Sequence, residues 1–565
     1  AGPVEGTWDL EGSPYYIYGN IYVGSHAKLV IEPGVNVVFR GWYDFAVYGT
    51  LSAVGTEAQM IRFTTINIPH VKWRGMIFKN TDRYSDLSYC IFEAGEKPLD
   101  DKTYNSGGVL SVINAHKARI TFKNCIFRDN EAYYGGAIHV SDAIPRFYDC
   151  EIINNNAIVG GGINLSDGAN ITMKGTKVAE NTALLGAGIN IYNSQPSLYN
   201  NTIEYNSASD YGGGLRIVTA TGFTIKYNDI VNNSAYKGGG LCINNSDGFF
   251  CSNTIAQNEA MLKGGGIYVY GISHSQFMNC IFYYNKSYMV IDGEQVYLQS
   301  DGSDPDFQYC NIEGGLVGFA GPGTQNFYGF YSQNIKEDPM FENASAGNFN
   351  ITWKNYPFDD DTKSPCIDAG CPNLAGDPDC SCCDIGSHYY FQVLEKPTDL
   401  LPFIGPELSF IATWSSSYGA LGYYLDVAKD PGFHKFVVKD HIVTDTSCLV
   451  SVYVPYTYYC RVRSFNTGIT SDYSDAVAVT IAQTETTKLS ELAVIRSTPG
   501  KVYIDLGDKL SSAGELKVFN LAGQLIADQA VSSGSNVLEF SCSEQIVLVN
   551  LIMDGQVYQD KIYIH

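Results

Sequence analysis

The feature that most limits what this chain can fold into is an internal repeat. From residue 130 onward, glycine clusters return at a near-constant interval. The apolar residue after each cluster is Ile138, Ile163, Ile189, Leu215, Leu241 and Ile267, at spacings of 25, 26, 26, 26 and 26 residues. Ahead of each cluster stands an Asn-x-Ala motif: Asn130/Ala132, Asn155/Ala157, Asn181/Ala183, Asn206/Ala208, Asn233/Ala235 and Asn258/Ala260, with a degenerate copy at Asn285 and Ser287. One unit, NNSAYKGGGLCINNSDGFFCSNTIAQ, holds short β-type stretches separated by Asn, Gly, Asp and Ser, without helical periodicity. Three short strands and three turns make one coil of a solenoid. A lone coil cannot bury its apolar face, whereas a stack of coils can. Each residue then lies about 4.8 Å from its counterpart one period away.

Stacking accounts for the unusual residue usage. Asn tolerates a left-handed turn and can bond its neighbour in the next coil. Clustered Gly allows corners that a Cβ would block. Cys90, Cys125, Cys150, Cys280 and Cys310 share a local context (SYCIF, KNCIF, MNCIF, QYCNI), and Cys125 and Cys150 are one coil apart. They read as an internal ladder of small buried side chains.

The first hundred residues lack the Asn-Ala-Gly signature but carry short strands between turns: LVIEPGVNVVF (29–39), VYGTLSAVGT (47–56), IRFTT (61–65) and WRGMIF (73–78). Followed by the NNxAxxGGGI coils, these phrases resemble the right-handed parallel β-helix repeat proteins of pectate-lyase-like fold, over residues 15–320. Further on, EDPMF (337–341) and SPCIDAGCPNLAGDPDCSCCDIGSHYYF (364–391) resemble the cap that closes such helices, with Asp384, Ile385, Gly386 and Tyr389 on the motif. Cys366, Cys371, Cys380, Cys382 and Cys383 crowd that segment. They are open to three readings: disulfides in an oxidising compartment, a thiolate metal site, or free thiols. No cofactor is expected, calcium held by Asp377 and Asp379 being the one alternative.

Residues 394–483 alternate as strands at roughly ten-residue spacing, which argues a β-sandwich. Trp414, Tyr458, Arg461, Val462 and Asn466 give this segment the pattern of a fibronectin type III module. Residues 488–565 resemble the sorting domain read by type IX secretion, carried by Val518, Phe519, Asn520, Gly523, Gln524 and Lys561. Gln545-Ile546-Val547 departs from that family's GxYxV. The expected architecture is therefore all-β: a right-handed parallel β-helix with a Cys-rich cap (1–391), followed by two small β-sandwich domains. The resemblance implies the type IX secretion machinery as a partner and a secreted or outer-surface location on a Gram-negative cell.

Lys and Arg total 36 against 59 acidic residues, a net charge of −23. Phosphate backbones are repelled by such a balance, so nucleic acid is not an expected partner. No apolar run reaches the length of a transmembrane helix, and Ala1 is not followed by a signal peptide, so the N-terminus reads as a processed one. A lyase on this fold needs a basic residue as base. Lys237 and Lys263 stand 26 residues apart before the glycine corner, with Tyr211 and Leu185 at the same position in earlier coils. Arg216 shares a ladder with Asn190, Cys242 and His139. Tyr133, Tyr134, Tyr192, Tyr211, Tyr236, Tyr268 and Tyr270 lie near turns, where they either stack on sugar rings or cover coil edges. Three functions remain open: a rigid binding or adhesion scaffold towards polysaccharide or other cells, a secreted polysaccharide lyase or hydrolase, and a structural unit of an extracellular layer or filament.

Overall fold

The structure is a computed structural model. It describes the chain apart from residues 67–70, 99–106, 291, 357–358, 380, 393, 406–407, 466–469, 483–486, 499–500, 506–513, 521–524, 532–536, 542–545, 554–555 and 564–565. The chain divides into two units, residues 1–354 with 360–390, and residues 355–359 with 391–565.

The first unit is a parallel β-solenoid of about 12 turns. Three long sheets hold 12, 13 and 12 strands, and every strand pairs in parallel with its counterpart one coil away. The register carries the sequence period: Ile138 lies beside Ile163, Ile163 beside Ile189, Ile189 beside Leu215, Leu215 beside Leu241 and Leu241 beside Ile267. Inward side chains form columns down the axis. Phe63, Phe92 and Phe127 stack at centroid distances of 4.9 and 4.9 Å, and Phe277 and Phe307 at 5.0 Å. These distances match the coil spacing, so the rings follow the backbone repeat without strain. Phe319, Phe327 and Tyr331 pack on the last inner layer, at Phe307.

Seven coils carry a fourth strand that the sequence did not suggest. Residues 131–134, 156–159, 182–185, 207–211, 234–237, 259–263 and 286–287 form a short parallel sheet over the Asn-x-Ala motifs. Its inward residues are six alanines and Ser287, and after the alanines the glycine corner turns the chain sharply into the first long sheet. At Gly136 a Cβ would stand 2.1 Å from the Gly161 carbonyl oxygen, so no larger residue fits there.

Side-chain amides hold the corner before this sheet. Asn130, Asn155, Asn181, Asn206, Asn233, Asn258 and Asn285 form one buried column. In each step the backbone N–H and the Nδ2 of one Asn both donate to the Oδ1 of the next, as in Asn181 to Asn206 at 3.1 and 2.9 Å. The same Nδ2 donates to a carbonyl from the coil before, Ile152 for Asn181. The column begins where Gly95 N–H donates to Asn130 and ends where Asn285 donates to Gln295. These asparagines are not the left-handed residues that the sequence suggested. That conformation belongs to the residue before each: Asp129, Asn154, Glu180, Tyr205, Asn232, Gln257 and Tyr284.

A second corner column runs Cys90, Cys125, Cys150, Thr176, Asn201, Asn228, Asn253, Cys280, Cys310. Asn228 Nδ2 donates to Lys226 and Leu198 carbonyls, and Cys125 Sγ reaches the Lys123 and Leu87 carbonyls at 3.4 and 3.5 Å. The thiols thus fill asparagine positions as weak donors, in addition to filling space.

The second unit contains two pairs of sheets, antiparallel throughout except where strand 487–488 runs parallel to strand 556–563. Strands 401–404, 409–413 and 447–451 face strands 422–428, 436–443, 456–465 and 477–481 around a core of Phe410, Trp414, Leu425, Tyr458 and Val462. A five-stranded and a three-stranded sheet follow from residue 487, with Val518, Val547, Val549 and Ile562 in their core.

Replacing Asn206 with Ala strips the acceptor from the N–H and Nδ2 of Asn181. Each orphaned buried donor costs about 1–3 kcal/mol. The Asn206→Ala protein should therefore lose at least about 2 kcal/mol in guanidinium denaturation. A loss below about 0.5 kcal/mol would remove the column from the account of stability.

Candidate functional site

Where the short sheet meets the first long sheet, two outward columns face each other along the corner. The first consists of the last residues of the short strands. Its register runs Leu185 to Tyr211, Tyr211 to Lys237, and Lys237 to Lys263. The second is the outward position of the long sheet: Ser111, His139, Asn164, Asn190, Arg216, Cys242, Tyr268, Tyr297. Outward residues of a sheet normally meet water. Here the glycine corner folds the short sheet over them, and His139, Asn164, Asn190, Cys242, Tyr268 and Tyr297 are buried.

The structure brings Lys237 and Lys263 side by side and sets both on tyrosines. Lys237 Nζ donates to Tyr211 Oη at 3.0 Å and lies 4.7 Å from that ring and 5.4 Å from the Tyr236 ring. Lys263 Nζ donates to Tyr297 Oη at 2.9 Å and to Gln299 Oε1 at 3.3 Å, where Tyr268 Oη also donates. The rings pack on one another, Tyr211 on Tyr270 at 5.7 Å and Tyr268 on Tyr297 at 5.8 Å. Arg216 holds the other column. Its Nη1 donates to Asn190 Oδ1 at 2.8 Å, Asn190 Nδ2 donates to Asn164 Oδ1 at 2.7 Å, and Asn164 Nδ2 lies 2.9 Å from His139 Nδ1. Because arginine only donates, the whole chain is polarised and His139 accepts at Nδ1.

Electrostatics follow from this packing. Burial pushes the imidazole of His139 down to about 3, so it is neutral at ordinary pH. Burial also raises Cys242 to about 12 and Tyr270 to about 12, so both keep their protons. For Lys237, burial opposes the charge, but the Tyr211 hydroxyl and the neighbouring Asp210 outweigh it and the pKa rises. The charge on Lys237 thus sits among a thiol and a phenol that keep their protons, Cys242 and Tyr270. Tyr236, Tyr192 and Met261 are exposed beside it.

The two further residues of the ledge, Tyr297 and Gln299, escaped the sequence reading because Val296 follows Ile267 by a longer coil. A second site was also missed. Glu96 pairs with Glu131, which puts Lys97 at the alanine position one coil ahead of the short sheet. Its buried ammonium reaches Asp44 at 3.7 Å, and Arg74 holds the other Asp44 oxygen at 2.9 Å. Burial pulls Lys97 down to about 8. Lys97 stands 35 residues before Ala132, so counting by 26 does not reach it.

The Cys-rich segment, expected as a terminal cap, runs as a strap along the outside of the third long sheet. Its His388 Nε2 lies 2.8 Å from Asp229 Oδ2, and Ser387 bonds both Asp229 and Thr254. Cys366, Cys371, Cys382 and Cys383 are free thiols, and Cys380 lies outside the described residues. Asp377 Oδ2 accepts from the Asp384 N–H, and Asp379 Oδ1 accepts from the Ser381 N–H. Among the described residues no group of three or more His, Cys, Asp or Glu is placed to hold a metal ion. In the C-terminal segment, Val518 and Phe519 are buried in strand 514–520 and Lys561 lies in strand 556–563. The side chain of Asn520 and residues Gly523 and Gln524 lie outside the described residues.

Residues 53–230 match the family described as a right handed beta helix region. No curated protein matches the chain. Solved structures similar to part of it include a selenomethionine-substituted chicken interferon gamma receptor alpha chain, 11% identical, covering 30% of this chain and 98% of that one at a TM-score of 0.16. The FN1-FN3 domains of chicken CNTN1 are 15% identical, covering 30% and 66% at 0.16. A two-domain fibronectin type III segment of chicken tenascin is 10% identical, covering 30% and 99% at 0.14. At such TM-scores these likenesses decide nothing.

The strap carries a pH dependence of one sign. The Asp229 hydrogen bond raises His388, against burial. Its contribution is complete below the free histidine value of about 6.5 and is lost as pH climbs through the raised one. Burial lifts Asp384 to about 7 and Asp377 to about 6 by penalising their charged forms, so stability falls as pH rises from the free aspartate value of about 3.9 towards those values. Amide exchange in residues 364–390, corrected for intrinsic rates, should be slower at low pH than at high pH across this window. Equal or better protection on the alkaline side would refute the assignment.

Proposed function

We propose that the chain is an exported surface protein whose solenoid is a rigid binding scaffold, directed at polysaccharide or at the surface of another cell. The β-helix fold supports a scaffold, binding or pectate-lyase-like role in general. The observation that favours binding over lyase chemistry is the state of Lys237. A lyase base must surrender its proton near the working pH, whereas Lys237 is tied to Tyr211 and has a raised pKa. Cations anchored over tyrosine rings, with Tyr236 exposed alongside, instead make a ledge suited to sugar faces and hydroxyls.

The remaining segments support export and display. Trp414 packs edge-on against Tyr423 at 5.4 Å, and Tyr458 Oη donates to the Val454 carbonyl four residues upstream at 2.7 Å. That bond has the form of the tyrosine corner of immunoglobulin-like sandwiches, which supports reading 394–483 as a fibronectin-type spacer. Strands 514–520 and 525–531 pair antiparallel, and strand 546–553 joins the first of them to the last strand 556–563, an order that suits the sorting-domain reading of residues 488–565. Type IX export to the outer surface of a Gram-negative cell follows from that reading.

The test is a panel of neutral and acidic polysaccharides, scored for retention and for product. Retention of at least one polymer without new ends is expected. The double variant Tyr236→Ala, Lys263→Ala should weaken retention about tenfold, the worth of one ring contact plus one cation. Unsaturated ends detected by ultraviolet absorbance would replace this reading with a lyase, and Lys237, Lys263 and Arg216 would be the residues to examine.

A further inference from the structure

The strap bears four described cysteines, and only two of them share a support. Asn279, in the left-handed corner position before Cys280, grips the strap with three groups. Its carbonyl accepts from Gly386 N–H at 2.8 Å, its Oδ1 accepts from Cys371 N–H at 2.9 Å, and its Nδ2 donates to Cys383 Sγ at 3.5 Å. Gly370 N–H donates to the Cys383 carbonyl at 2.8 Å, so the backbones carrying Cys371 and Cys383 run side by side. Cys383 Sγ lies 2.9 Å from the Cys371 carbonyl oxygen and 2.9 Å from where a Cβ on Gly370 would stand. Gly370 is therefore the residue that leaves this sulfur its seat. The remaining thiols are placed elsewhere. Cys366 is fully buried against Asn311, whose Nδ2 reaches its Sγ at 3.1 Å, and Cys382 is exposed.

The geometry points to a disulfide between Cys371 and Cys383 as the fastening of the strap on the solenoid. Two backbones joined by a peptide hydrogen bond one residue away are at the separation that a disulfide spans. The bond forms by exchange with a disulfide oxidant. One thiolate attacks a sulfur of the oxidant, releasing a thiol and leaving a mixed disulfide. The second thiolate then displaces the remaining thiol. Two protons leave the cysteines, and the oxidant's sulfur–sulfur bond takes both electrons. The closed loop joins residues 12 apart and encloses Asp377 and Asp379. It fixes the segment that delivers Ser387 and His388 to Asp229. This goes beyond the binding reading and is independent of it.

The full chain, purified reduced, is treated with oxidised glutathione, alkylated, and mapped without reduction. The expected product is a peptide pair linking Cys371 to Cys383, two hydrogen masses lighter. Amide exchange in residues 364–390 is expected to slow about tenfold or more relative to the reduced protein. Cys382→Ser leaves both results in place, and Cys371→Ser and Cys383→Ala each abolish them. A link from Cys371 to Cys366, Cys380 or Cys382 overturns the proposal. So does alkylation of both Cys371 and Cys383 under conditions that already glutathionylate exposed Cys382. Comparison of the reduced and oxidised wild-type protein keeps the test valid if a variant fails to fold.

Discussion

Everything in the solenoid depends on how its corners dispose of buried peptide groups. A strand satisfies its neighbours through the ladder, but a corner residue has no strand partner, and an unpaired buried N–H is costly. The asparagine column solves this with one side chain per coil. Each Oδ1 takes two donors from the coil before, and each Nδ2 caps a carbonyl that the turn leaves open. The tight corner that results lets the alanines pack inward and lets the glycines swing the chain into the first sheet. The ledge of Tyr211, Lys237, Lys263 and Tyr297 exists because that swing is sharp enough to lay one sheet edge against the next.

The same corner explains tolerance of otherwise unfavourable residues. Glu180, Tyr205 and Tyr284 adopt a left-handed backbone, a conformation that costs roughly 1–2 kcal/mol for residues with a Cβ. They carry it because the asparagine that follows fixes the turn regardless of what precedes it. The thiol column shows the complementary case. Cysteine replaces asparagine at part of the second corner, where a thiol donates to the same two carbonyls but offers no amide to the next coil.

Much of the first unit was legible because its signal is periodic. The 26-residue spacing is the register itself, so Lys237 beside Lys263 and Arg216 beside Cys242 could be read from arithmetic. The fourth strand was not legible, because Ser234–Lys237 is too short and too polar to show strand alternation. Nor was the assignment of left-handed backbone, since asparagine is a good candidate at either of two adjacent positions. The ledge was only half visible. Tyr297 and Gln299 enter it from a coil of 29 residues, Ile267 to Val296, where counting by 26 fails. The strap was misplaced for a different reason. Its motif names a segment but not the surface it covers, and the contact from His388 to Asp229 spans 159 residues. Lys97 went unnoticed because it breaks the repeat, and repeat logic finds conformity rather than exceptions.

The asparagine column also has a direction. Every amide in it points the same way, with Gly95 at the donor end and Gln295 at the acceptor end. Any one coil therefore presents the same two half-bonds as its neighbours, an acceptor on one side and donors on the other. A duplicated coil inserted between two others would close both halves with no unpaired group, and a deleted coil would leave none. The rod can lengthen or shorten in steps of about 4.8 Å while its two ends stay unchanged. Length in such a solenoid is a heritable variable of its own, adjustable by duplication without redesign of the coils at either end.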